Sequence, residues 1–130
     1  MRFDEDPTYR NRALQIWLIL IGCAARRETL TYGMLVRRMG LHGVMPPLHH
    51  QLGHVMYYCQ AHGLPPLTVL AVNRQTGRPG GGLDLAHDQF DRSREMVFRF
   101  PWYEIVPPTP EELNAAYQAE GDIEALVYDE

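Results

Sequence analysis

Apolar residues between Ala13 and Ala25 recur at helical spacing, with Leu14, Trp17, Leu18 and Ile21 on one stripe. Nearly every position from Ile16 to Ile21 is apolar, which predicts a central helix, opening at Pro7 or Thr8, running to about Arg27 and buried on most sides. Thr31 is the candidate N-cap of a short second helix through Met34, Leu35 and Val36 to Met39, ended by Gly40. After a loop at Leu41–Met45, Pro47 suits the first turn of a third helix to about Ala61, with Leu48, Leu52, Val55, Met56 and Cys59 as its inner stripe and Gly63 closing it. The period then changes. Leu67–Val72 is β-branched and apolar, a buried-strand pattern that runs into the turn Asn73–Gly82, rich in glycine and carrying Arg74 and Arg78. A helix over Asp84 to about Arg94 and an extended segment over Met96–Phe100 follow. Pro107–Pro108 is a hinge, and Thr109-Pro110-Glu111-Glu112 is a capping box opening a last helix from Pro110 to about Glu120, ended by Gly121.

Three helices, a strand, a basic glycine turn and a return stroke are the order of a winged helix-turn-helix. The expected fold is therefore mostly α with a small β-hairpin: a winged-helix-like unit over residues 1–106, and a C-terminal helical arm with an acidic tail over 107–130. The aromatic group Phe98, Phe100, Trp102 and Tyr103 reads as a clasp that packs the arm onto the body.

At 130 residues, 45% hydrophobic and 22% charged, the chain has the make-up of one globular domain. That excludes a disordered tail, a collagen-like repeat and a disulfide-dense scaffold. The net charge of −4 hides a segregation, because all 12 basic residues are Arg. Pro7 to Leu83 carries +7, and Glu104 onward carries −8. A basic body with an acidic end points to a polyanion-facing surface. Cys23 and Cys59 lack metal or redox spacing and read as buried thiols of a cytoplasmic protein. The run Ala13–Ala25 is too short to span a bilayer. Leu20-Ile21-Gly22-Cys23 has the outline of a lipoprotein cleavage box, but Asp4-Glu5-Asp6 has the wrong charge for a leader, so the core-helix reading is preferred.

Two segments carry a resemblance. Leu30-Thr31-Tyr32-Gly33-Met34-Leu35, and Leu64-Pro65-Pro66-Leu67 leading into Val69–Asn73 and a glycine turn, resemble the DNA-binding domain of the O6-alkylguanine alkyltransferases and of their catalytically dead alkyltransferase-like relatives, over roughly Arg12 to Leu83. The resemblance implies a winged helix whose third helix meets the groove. In that family a Pro-Cys-His-Arg segment supplies the nucleophile, where this chain has Pro65-Pro66-Leu67-Thr68. The third helix also lacks the family's Arg, reading Leu48-His49-His50-Gln51-Leu52-Gly53-His54. Neither Cys23 nor Cys59 has a basic neighbour in sequence to activate it, so alkyl transfer is not expected.

His50 and His54 share a helix face at i, i+4, the outline of a zinc-hydrolase helix, but Gln51 stands where the general-base Glu would be. No cofactor motif is present; Gly80–Gly82 lacks the Lys-Ser/Thr of a phosphate loop. The expectation is a non-enzymatic protein without metal or cofactor. It would bind DNA through Arg74 and Arg78 on the wing, His49, His50 and Gln51 on the third helix, and Thr31, Tyr32, Arg37 and Arg38 against the backbone. The alternative is a protein-interaction module using the acidic C-terminal end.

Overall fold

The computed structural model describes the backbone of residues 1–41, 47–79 and 87–128, and side chains as far as 120, those of 87 and 88 excepted. A 3₁₀ turn at Phe3–Glu5 precedes α1 (Tyr9–Ala25). Then come β1 (Leu30–Thr31), α2 (Tyr32–Arg38), α3 (His49–Ala61), a 3₁₀ turn at Leu67–Leu70, β2 (Ala71–Val72), α4 (His87–Arg99), a 3₁₀ turn at Trp102–Glu104, and α5 (Pro110–Tyr128). The fold is mostly α, with five helices and one two-stranded sheet among the described residues.

The local rules hold where capping chemistry is explicit. Thr8 Oγ1 accepts from Asn11 N at 3.2 Å and starts α1. Thr31 Oγ1 accepts from Met34 N at 3.2 Å and starts α2. At α5, Thr109 N donates to Glu112 Oε1 and Glu112 N donates to Thr109 Oγ1, both at 3.1 Å, the reciprocal box that the residue pattern implies. Gly40 (φ 79°) and Gly63 (φ 65°) adopt the left-handed conformation that ends helices, just past α2 and α3.

The core is a mutual packing of α1, α3 and α5, with the Leu67–Leu70 turn and α4 closing the sides. Ile16, Trp17 and Leu20 of α1 are fully buried, as are Val55 of α3, Leu113 of α5 and Val97 of α4. Trp17 meets Tyr58 and Trp102 edge-on, with ring centroids 5.6 and 5.5 Å apart. Trp102 Nε1 donates to the Val97 carbonyl at 2.7 Å, so the indole locks the turn after α4 onto the body. The aromatic clasp is thus Trp102 with Phe98 and Phe100 beside it, whereas Tyr103 is 69% exposed.

Four sequence expectations are corrected. The β element is a parallel pair, Leu30 with Ala71 and Thr31 with Val72, and not a hairpin. Leu67–Leu70 winds as a 3₁₀ turn, leaving only Ala71–Val72 extended, because Val69 N finds its acceptor locally at the Pro66 carbonyl. Met96–Phe100 is no strand: α4 continues to Arg99, where buried Phe90 and Val97 lie seven residues apart on one face. Glu95–Arg99 at i, i+4 and Asp91–Arg94 at i, i+3 brace its outer face. Gly121 does not end α5, which runs on to Tyr128, since an interior glycine costs a helix only about 1 kcal/mol. The turn residues Gly80–Gly82, the loop histidine His42 and the start of the predicted helix at Asp84 lie outside the described residues. No helix among the described residues is long and apolar enough to cross a membrane.

Candidate nucleic-acid interface

The parallel pair organises the basic positions. Strands that run in the same direction and in register release their chains from the same end, so α2 and the turn after β2 both start there. The turn holds itself shut. Asn73 N donates to the Arg78 carbonyl at 2.7 Å and Gly77 N donates to the Asn73 carbonyl at 2.8 Å. Asn73 Oδ1 accepts from Gln75 N at 2.8 Å, and Gly77 takes φ 68° to close the loop.

Thr31 and Tyr32 on one chain and Arg74 on the other follow the sheet end, Arg78 closes the turn back onto Asn73, and Arg37 and Arg38 stand at the far end of α2, about 8 Å along its axis. Their roles differ. Thr31 spends its hydroxyl on the α2 cap. Tyr32 and Arg78 are half-buried, and each already has an intramolecular partner. Arg38 is exposed but lays Nη1 3.3 Å from Cys23 Sγ. Arg37 and Arg74 are exposed and meet no carboxylate among the described residues. By contrast Arg26 pairs with Glu28 at 3.2 Å, and Arg27 pairs with Glu95 at 2.7 Å while covering the Phe98 ring.

The α3 candidates lie elsewhere, on a helix that packs against α5. Gln51 is 8% exposed, and its Oε1 is buried without a hydrogen-bond partner. The His50 ring stacks on Tyr9 at 5.0 Å, with Nδ1 2.7 Å from the Tyr117 hydroxyl of α5. His54 is fully enclosed, with Nδ1 2.6 Å from the His50 carbonyl oxygen and its ring stacked on Tyr117 at 4.2 Å. A Cβ at Gly53 would stand 3.0 Å from Tyr117 Cε2, so glycine is what lets α5 approach. Only His49 of the three α3 candidates is exposed. Among the described residues no three potential ligands converge on a metal position, and the Nδ1 atoms of His50 and His54 are engaged as above.

Two features differ from the reading along the chain. Cys23 does have basic neighbours in space, with Arg38 Nη1 at 3.3 Å and Arg26 Nη2 at 3.8 Å from its sulfur. Arg26, three residues on in the same helical run, was the available signal. The thiol is nevertheless fully buried. Cys59 is also buried, and burial pushes its thiol up to about 11, the wrong direction for a nucleophile. The second feature is Arg12, a charged residue in the first turn of α1 that is only 8% exposed. Comparison with known proteins finds no matching family, no matching curated protein and no matching solved structure.

Proposed function

We propose that this chain is a non-enzymatic DNA-binding protein that grips the phosphate backbone through α2 and the turn at 73–78. One observation carries the reading. The in-register parallel pair starts α2 and the turn from the same sheet end, and each segment carries an exposed arginine, Arg37 and Arg74, that no described carboxylate neutralises. Guanidinium groups on a tight turn and at a helix end suit phosphate oxygens, which are met without regard to base sequence. The packing of α5 over His50, Gly53 and His54 supports backbone attachment over groove reading, since a recognition helix must keep one face open. The two segments that resemble the alkyltransferase DNA-binding domain are the ones the sheet joins. Leu67 and Thr68, in the segment where that family keeps its nucleophile, are buried apolar and hydroxyl side chains, which supports a binding role over group transfer.

Fluorescence anisotropy with duplex DNA at low salt tests this. Binding falls with salt, and R37Q and R74Q each flatten the slope by about one unit. Failure of both duplex and single-stranded DNA to bind at low salt overturns it. A second reading, a protein-interaction module for a basic partner, draws on the exposed Glu111 at the start of α5, a helix that here belongs to the packed body. Absence of DNA binding would favour it.

A further inference from the structure

Arg12 is the buried arginine among the described residues. It lies on α1 with 8% of its surface exposed, and among the described residues no carboxylate reaches it. Its Nη1 donates to Gln15 Oε1 at 2.7 Å and to the Met39 carbonyl at 3.3 Å, while Gln15 Nε2 donates to the same carbonyl at 3.1 Å. Those acceptors are neutral. They tie α1 to the C-terminal end of α2, which accounts for one edge of the guanidinium and leaves Nε and Nη2 without an acceptor among the described residues. Nε and Nη2 are not among the buried unpaired polar atoms of the described residues, so that edge of the guanidinium faces open space.

Arg12 also lines a cavity of about 290 Å³ with Arg2, Phe3, Asp4, Gln15 and Met39. Among the described lining residues the carboxylate is Asp4, and it is turned to Arg2 at 3.2 Å, with both side chains largely in solvent. The charged side chains of the described lining, Arg2, Asp4 and Arg12, therefore sum to +1. Phe3 and Met39 add an apolar portion.

We propose that this cavity binds a small organic carboxylate, held by the open Nε–Nη2 edge of Arg12, with its short apolar body against Phe3 and Met39. A planar carboxylate matches a guanidinium edge with two parallel hydrogen bonds. The single surplus positive charge matches a monoanion and not a phosphate dianion. The volume lies at the small end of ligand pockets. The assignment does not depend on the DNA-binding reading.

The test is a titration of the full chain with sodium butyrate at constant ionic strength, followed by the Arg12 Nε–H resonance and the thermal midpoint, with butyramide and inorganic phosphate in parallel. Butyrate gives a saturable shift and a raised midpoint, and butyramide gives neither. Arg12→Gln abolishes the response. Asp4→Asn, at an exposed rim position that spares the core, tightens butyrate binding about fivefold by removing a like charge. This second variant decides the matter if Arg12→Gln does not fold. Equal responses to butyrate and butyramide, phosphate binding as tightly as butyrate, or no saturable shift in either the wild type or Asp4→Asn overturns the proposal.

Discussion

His54 shows how one side chain couples burial to pH. Enclosure lowers its pKa from the usual histidine range, the charges of His50 and Arg10 push the same way, and hydrogen bonds to the His50 carbonyl and Asn114 oppose them. The sign follows from linkage. With the folded pKa depressed, the unfolded chain takes up the proton first, so stability is full above about pH 6.5 and declines as pH falls from there to the folded value. Urea midpoints measured from about pH 8 to about pH 5 should show that decline, and His54→Phe, which keeps a flat ring against Tyr117, should make it shallower. A variant as steep as the wild type would remove His54 as its source. At Gly53, the 3.0 Å approach of Tyr117 leaves little space for a methyl group. Gly53→Ala is expected to cost about 1–3 kcal/mol by chemical denaturation, through displacement of α5.

At the scale of elements, α5 is a structural member of the core, since fully buried Leu113 and half-buried Tyr117 seat it on α1 and α3. Leu113→Ala should lower stability by about 2–5 kcal/mol in the same assay, a loss too large for a peripheral arm. Thr31→Ala, which removes the α2 cap, should cost about 1 kcal/mol. It should weaken DNA binding only as far as α2 frays. The helices with explicit caps, α1, α2 and α5, were legible because capping is a chemistry of three or four adjacent residues. α3 followed from its stripe, although Gln51, His54 and Tyr58 widen the buried face beyond the apolar positions. The stretch at Met96–Phe100 is ambiguous along the chain, because apolar residues at 96, 97, 98 and 100 satisfy both periods. Packing of Val97 and Phe90 on one side chose the helix.

For the whole molecule, the segregated charges set the expected ionic behaviour. Duplex affinity should fall steeply between low and physiological salt, and the R37Q/R74Q double variant should lose about two units of slope if both residues meet phosphate. A double variant with unchanged slope would place any DNA contact elsewhere. Neighbours along the chain were enough to set the mostly helical make-up, the capped helix starts, the glycine stops after α2 and α3, and the basic body with its acidic end. Tertiary structure alone decided that Leu30–Thr31 pairs in parallel with Ala71–Val72, that α5 occupies the polar side of α3, and that Arg12 is interior beside a cavity. Those outcomes depend on contacts between segments tens of residues apart, where hydrophobic burial is non-directional and only the joint packing selects the partner.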